Sequence, residues 1–144
     1  WGPTAMLPVL NILGGDYKEK HIISHIDKDG HDQFTKIDFL YNHAVASVKV
    51  AKGVKSEGEL VISGTKGYIY VPAPWWKTDY FEIRYEDTSQ NKRYFYQLDG
   101  EGIRYQIVAF IRSIESKQSN SYISQNGVCK VIGDFYSRTD SSLI

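Results

Sequence analysis

The chain has 144 residues, 17 basic against 17 acidic side chains, and an isoelectric point near 7.1. This length suits a single domain, residues 1–144, with a core of its own, and the balanced charge argues against a nucleic-acid partner. No apolar run approaches the roughly twenty residues that span a bilayer, so we expect no membrane segment.

The first segment is predicted to be a short apolar helix over Pro3–Leu13. Pro3 suits a first helical turn, and Gly14 is a typical residue after the last one. Pro8 lies inside the segment and predicts either a kink or a later start. Apolar residues recur at helical spacing, at Met6, Leu7, Leu10 and Leu13. A helix this short and apolar must pack on another element.

Most of the chain between this helix and residue 98 is predicted to form β-strands. β-Branched or alternating segments are separated by turns, and they cover 20–26, 34–41, 44–52, 59–63, 68–71, 80–86 and 93–98. They follow one another in hairpin order, which favours a largely antiparallel open sheet of about six or seven strands. Small residues along 44–52 indicate that another element lies close against that strand.

A tight turn and a proline-rich loop mark the middle of the chain. Gly64 and Gly67 bracket a two-residue turn, and we expect both to supply backbone freedom there. Pro72 and Pro74 cannot donate to a sheet ladder and end the following strand. Two adjacent tryptophans, Trp75 and Trp76, come directly afterwards.

Two amphipathic helices are predicted after the strands. The first follows Asp99, a potential cap, and the second begins near residue 124. Their apolar stripes are Ile103, Ile107, Phe110, Ile111 and Ile114, and Val128, Val131, Ile132 and Phe135. Both stripes are expected on one face of the sheet, which gives an α+β fold with the other face left for another domain or subunit. The polar tail from Ser137 is predicted to fray.

No catalytic, metal-binding or cofactor-binding residue is predicted. His21 and His25 share a strand face but lie about 13 Å apart, too far to ligate one ion. Cys129, the single cysteine, excludes an internal disulfide, fits the cytoplasm, and is expected to be a buried structural thiol. Gly100 and Gly102 lack the third glycine of a dinucleotide motif.

The tryptophan pair admits two interpretations. Trp75 and Trp76 could stack on a sugar ring and form a substrate platform. Alternatively, one ring belongs to the core and the other anchors an interface. The sequence leaves both open.

Two segments resemble a known enzyme family. "EGELVISGTKGYIYVPAPWW" and, after a hairpin, "GEGIRYQIVAFIRSI" are similar to the C-terminal domain of the glucose–fructose oxidoreductase, inositol dehydrogenase and MocA family (Gfo/Idh/MocA). The resemblance covers nearly the whole chain. It implies a parent enzyme with a Rossmann domain placed first, NAD or NADP as cofactor, and a catalytic lysine in a Glu-Lys-Pro motif that this chain lacks.

The first residues resemble the segment that opens this domain in the family. That segment reads Asp-x-Gly-x-His/Tyr, and here Gly2 and Thr4 take the glycine and His/Tyr positions without the leading Asp. The resemblance therefore implies Trp1, Gly2 and Thr4 as substrate-binding residues, beside Trp75 and Trp76. A threonine hydroxyl can hydrogen-bond a substrate but cannot act as a general base near neutral pH.

The resulting prediction is an excised C-terminal domain of an NAD(P)-dependent oxidoreductase. The parent would act on a sugar, cyclitol or polyol derivative, and this domain would bind the substrate and be inactive alone. We expect the open sheet face to pair subunits into a homodimer or tetramer. The alternatives are a stand-alone carbohydrate-binding module that uses Trp75 and Trp76, and a purely structural dimerisation domain.

Overall fold

The computed structural model describes residues 2–119, 125–136 and 141–143, so Trp1 lies outside the described part. The chain divides into two compact units, residues 1–56 with 122–144, and residues 57–121. The elements are α1 (Gly2–Leu13), β1 (Glu19–Ile26), β2 (Asp32–Leu40), β3 (Val45–Ala51), β4 (Leu60–Ser63), β5 (Gly67–Val71), β6 (Tyr80–Tyr85), β7 (Lys92–Phe95), α2 (Ile103–Ser116), α3 (Gln125–Tyr136) and β8 (Ser141–Leu143).

The first unit contains sheet A, with strand order β3-β2-β1-β8. Its first three strands are antiparallel, and β8 pairs in parallel with β1. Ile22, Ile37 and Val48 stand opposite one another across the three strands, so the alternating pattern places them on one face. That face carries the buried core, formed by Met6, Ile22, Ile37, Phe39, Tyr41 and Val48.

Helix α1 covers this core. Met6 is fully buried among the strand side chains, and Ala46 packs against the same cluster, as the small residues of this strand predict. The helix runs through Pro8 without a break. It ends at Gly14, whose φ of 82° favours glycine, and the Tyr41 hydroxyl donates a 2.8 Å hydrogen bond to the Gly14 carbonyl. The predicted start, end and packing of this helix are therefore confirmed.

The second unit contains sheet B, an antiparallel sheet with order β4-β5-β6-β7. None of the residues 57–100 and 102–119 of this unit is fully buried. Gly64 and Gly67 do not adopt positive φ, so the expectation of special backbone freedom there is wrong. A Cβ at Gly67 would instead collide with the backbone carbonyl of Arg84 on β6, and this close approach explains the glycine.

Helix α2 departs from the expected packing. Its stripe residues remain 47–67% exposed, and the only described element in close backbone contact with it is the short 3₁₀-turn at Asp99–Gly102. Asp99 does not cap the helix, because Gly102 occupies the N-cap position. The Asp99 carboxylate instead accepts a hydrogen bond from Arg104 at 3.3 Å. The apolar spacing predicted the helix correctly, but the expectation that its stripe packs on the sheet is wrong.

The α+β class and the largely antiparallel pairing are confirmed, with the strands divided between two four-stranded sheets. Two expectations near the C-terminus are wrong. β8 forms within the tail predicted to fray, and Cys129 on α3 is exposed. The side chains of Val128, Val131 and Phe135 lie outside the described part. No described helix is long and apolar enough to cross a membrane.

Candidate functional site

Two of the predicted substrate-binding residues, Gly2 and Thr4, lie in the first turn of α1, and Trp1 lies outside the described residues. Gly2 is buried, so only its backbone is available to a neighbour. Thr4 is exposed, which leaves its hydroxyl accessible to a polar ligand. The structure assigns these two residues to the first unit and the tryptophans to the second.

Trp75 and Trp76 lie together in the loop between β5 and β6. The Trp75 amide donates a 2.9 Å hydrogen bond to the Gly58 carbonyl, which fixes the loop. Their ring centroids are 5.9 Å apart and the planes meet at 90°. Because the two faces are perpendicular, one flat sugar ring can stack on only one of them at a time. Trp76 is 56% exposed, so it is the more accessible stacking surface.

A second cluster covers one face of sheet B, and we call it the Tyr–Arg face. Strand register places its members side by side, with Tyr68 opposite Arg84 and Tyr70 opposite Glu82. The face continues onto β7, where Arg93 stands opposite Glu82. It comprises Tyr68, Tyr70, Tyr80, Glu82, Arg84 and Arg93. Phe95 lies at its edge, 73% exposed and 5.9 Å from Tyr80 between ring centroids.

Glu82 links the two arginines of this face. One carboxylate oxygen accepts from Arg84 Nε at 2.7 Å, and the other accepts from Arg93 Nε at 2.7 Å and from Arg93 Nη2. The hydrogen bond from Arg84, with that from Arg93, holds the pKa of Glu82 below its ordinary value. The carboxylate therefore stays ionised and doubly paired, and it is unsuited to act as a general base.

Aromatic rings stack on both guanidinium groups. Arg84 Cζ lies 4.4 Å from the Tyr70 ring centroid, and Arg93 Cζ lies 4.8 Å from that of Tyr80. Arg84 also donates to the Tyr68 hydroxyl, and this hydrogen bond, with that to Glu82, raises its pKa. The side chains of the Tyr–Arg face are thus held in place by one another, and tyrosine and arginine are residue types that are enriched at protein interfaces.

The outer face of sheet A carries a Ser–Asp–His group that is not a catalytic triad. Ser47 donates to one oxygen of Asp38, and His21 stands opposite Asp38 on the neighbouring strand. In a triad the histidine must lie between the serine and the carboxylate, whereas here the carboxylate is in the middle. Lys36 also binds Asp38, at 2.9 Å. Among the described residues, no group of His, Cys, Asp and Glu is arranged to hold a metal ion.

Sequence reasoning identified the strands of sheet B but missed the Tyr–Arg face. The alternation in β6 places Glu82 and Arg84 on one side, and Tyr68 and Tyr70 alternate in β5 in the same way. Only the register between these strands unites the two sets, and the sequence does not give that register.

No protein-family model and no curated protein matches this chain. Among solved structures, the chain is similar to the 3-ketoreductase KijD10 from Actinomadura kijaniata in complex with NADP and TDP-benzene, with a TM-score of 0.81 and 12% identity over 99% of this chain and 45% of that one. An open conformation of the same enzyme gives 0.76 and 11%, over 99% and 46%. The chain thus spans a little under half the length of these enzymes. Its fold resembles part of an NADP-binding ketoreductase.

Proposed function

We propose that this chain is the C-terminal substrate-binding and oligomerisation domain of a cytoplasmic NAD(P)-dependent oxidoreductase that acts on a sugar, cyclitol or polyol derivative. The cofactor and the catalytic lysine would come from a Rossmann domain outside these 144 residues. Alone, the chain would then be catalytically inactive, because hydride transfer needs the nicotinamide cofactor to be held against the substrate.

One observation carries the proposal: almost the whole chain superposes on under half of an NADP-binding 3-ketoreductase. The motif resemblance to the Gfo/Idh/MocA C-terminal domain points independently to the same enzyme class. Agreement between a sequence pattern and a backbone comparison at 12% identity supports this assignment of fold and domain role.

The Tyr–Arg face supports the oligomerisation role. Arg84 and Arg93 are balanced by Glu82 and by Glu59, which accepts from the Tyr70 hydroxyl at 3.1 Å. Counted together with Glu59 beside it, the face carries two positive and two negative groups and no net charge, so two copies can meet there without repulsion. Exposed Phe95 at the edge adds apolar area to such a contact.

Light scattering after size exclusion tests this role on the chain itself. Arg84→Glu places a second carboxylate beside Glu82, and we expect it to convert a dimer or tetramer into smaller species. Lys66→Glu makes the same charge change in the β4–β5 turn and should leave the assembly intact. Equal behaviour of the two variants would contradict subunit pairing through this face.

Saturation-transfer NMR tests the substrate role. We expect a nucleoside-diphosphate sugar or an inositol to receive saturation from the chain, and Trp76→Ala or Thr4→Ala to reduce it. A free monosaccharide that binds as well as the nucleotide sugar, with dependence on Trp76 alone, would favour the stand-alone carbohydrate-binding module. The exposed ring of Trp76 is the observation that supports this second candidate function. Absence of transfer to every sugar and cyclitol would contradict both.

A further inference from the structure

The second unit carries two apolar surfaces that face no described partner. The first is the α2 stripe, Ile103, Ile107, Phe110, Ile111 and Ile114, exposed by 61, 53, 67, 47 and 61%. The second is the apolar face of sheet B, opposite the Tyr–Arg face, formed by Leu60, Ile62, Ile69, Val71, Phe81 and Ile83. Each of these six residues is only half-buried. A helix stripe and a sheet face of this kind normally bury one another.

Local contacts hold the start of α2 against the turn that precedes it. The Tyr105 hydroxyl accepts from the Asp99 amide at 3.3 Å, and Arg104 binds the Asp99 carboxylate, so the helix is tied to the turn before it. Its more covered side carries Ala109 and Ser113, which are half-buried and lie away from the stripe. The stripe is therefore exposed, and no described strand of its own unit is in close backbone contact with α2.

We propose that two copies of this chain exchange α2, so that the α2 stripe of each packs on the apolar face of sheet B of the other. The dimensions agree. The stripe spans 11 residue steps, about 16 Å of helix, and the strands of sheet B, four to six residues long, measure about 13–20 Å. The helix can therefore lie on the sheet without extending far beyond it.

The area that would be buried favours two reciprocal contacts over a single one. At roughly 100 Å² for each exposed stripe side chain, the five stripe residues present on the order of 500 Å². The six sheet-face side chains are less exposed and present about 300 Å². One helix on one sheet would bury about 800 Å², which is below a stable interface. Two reciprocal contacts bury about 1,600 Å², within the range of stable dimers, and a two-fold exchange also closes the assembly.

Disulfide trapping between separate chains tests the exchange. In a Cys129→Ser background, one chain carries Phe110→Cys and the other carries Ile69→Cys, at the centre of the apolar face. After mixing, equilibration and mild oxidation, we expect a covalent heterodimer on a non-reducing gel. As the control, Val61→Cys replaces Ile69→Cys and should give none, because exposed Val61 pairs with Tyr70 and so lies on the other side of sheet B.

The same pair placed in a single chain separates the alternatives. A disulfide only within that chain, without a heterodimer from the mixed chains, would mean that α2 packs on its own sheet and would overturn the exchange. No disulfide in either experiment would overturn it as well. Circular dichroism of each variant confirms that the comparison is made between folded chains.

Charge insertion distinguishes this dimer from the one under the proposed function. We expect Phe110→Glu to raise the dimer dissociation constant by about tenfold or more, since it places a carboxylate in the centre of the buried stripe. Arg112→Glu, on the opposite side of α2, should leave the constant unchanged. If Arg84→Glu alone weakens association, the Tyr–Arg interface stands and the exchange fails; if Phe110→Glu alone does so, the reverse holds.

Discussion

Glu82 shows how one side chain organises a surface. Its two oxygens fix two guanidinium groups, and those groups lie over the rings of Tyr70 and Tyr80. An isolated exposed ion pair contributes little to stability, but a shared carboxylate with stacked aromatic partners restricts several side chains at once. The geometry of the Tyr–Arg face therefore depends on this residue.

We predict that Glu82→Gln weakens the acid dependence of stability. Because the folded-state pKa of Glu82 lies below its ordinary value of 4.5, its contribution is present above about pH 4.5 and is lost as the pH falls through the folded-state pKa. Urea unfolding from pH 7 to pH 3 should show a smaller loss for the variant than for the native chain. Glu86→Gln, just after β6, is the control, and an equal change in both would contradict the prediction.

Ser24 and Thr35 form a buried polar pair in the core of the first unit. Their hydroxyl oxygens are 2.9 Å apart, and the residues are 1% and 3% exposed. Ser24→Ala leaves the Thr35 hydroxyl without this partner, and we expect a loss of about 1–3 kcal/mol in the free energy of unfolding. Adding Thr35→Val should cost much less than a second independent loss. Strictly additive losses in denaturant titrations would show that the pair is not coupled.

At the scale of elements, α1 and α2 have similar apolar patterns but differ in how they pack. α1 contains Pro8, which removes one backbone donor, yet the helix persists because Met6 and its neighbours bury against sheet A. α2 has the cleaner stripe but no described sheet beneath it. Packing, rather than the pattern alone, decides which stripe becomes core.

Truncations along α1 should report this difference. We expect Met6→Ala to cost about 2–5 kcal/mol of unfolding free energy, because Met6 is fully buried. Ile12→Ala removes a side chain that is 53% exposed and should cost well under 1 kcal/mol. Comparable losses in urea denaturation would mean that the helix presents a different face to the sheet.

At the scale of the whole molecule, the two units differ in how completely they enclose a core. Among the residues whose burial is described, six apolar side chains of the first unit are buried, whereas none in 57–100 or 102–119 is. Incomplete burial of this kind is compatible with the assembly role proposed above.

The proposed division of labour predicts how the chain responds to cofactor. A ligand at 100 times its dissociation constant stabilises a folded protein by about 2.7 kcal/mol. Because the proposed cofactor site lies outside these residues, we expect no such stabilisation, and NADPH should leave the thermal midpoint of this chain unchanged in differential scanning fluorimetry. A clear rise in the midpoint would place a dinucleotide site within these residues and contradict the proposal.

The sequence by itself determined the α+β class, the strand segments and the ends of α1, because residue spacing and turn residues act over a few neighbours. Tertiary structure decided the division into two sheets, the register that assembles the Tyr–Arg face, the addition of β8 to sheet A and the outward α2 stripe. These features depend on contacts between residues far apart in the chain, which local patterns do not encode.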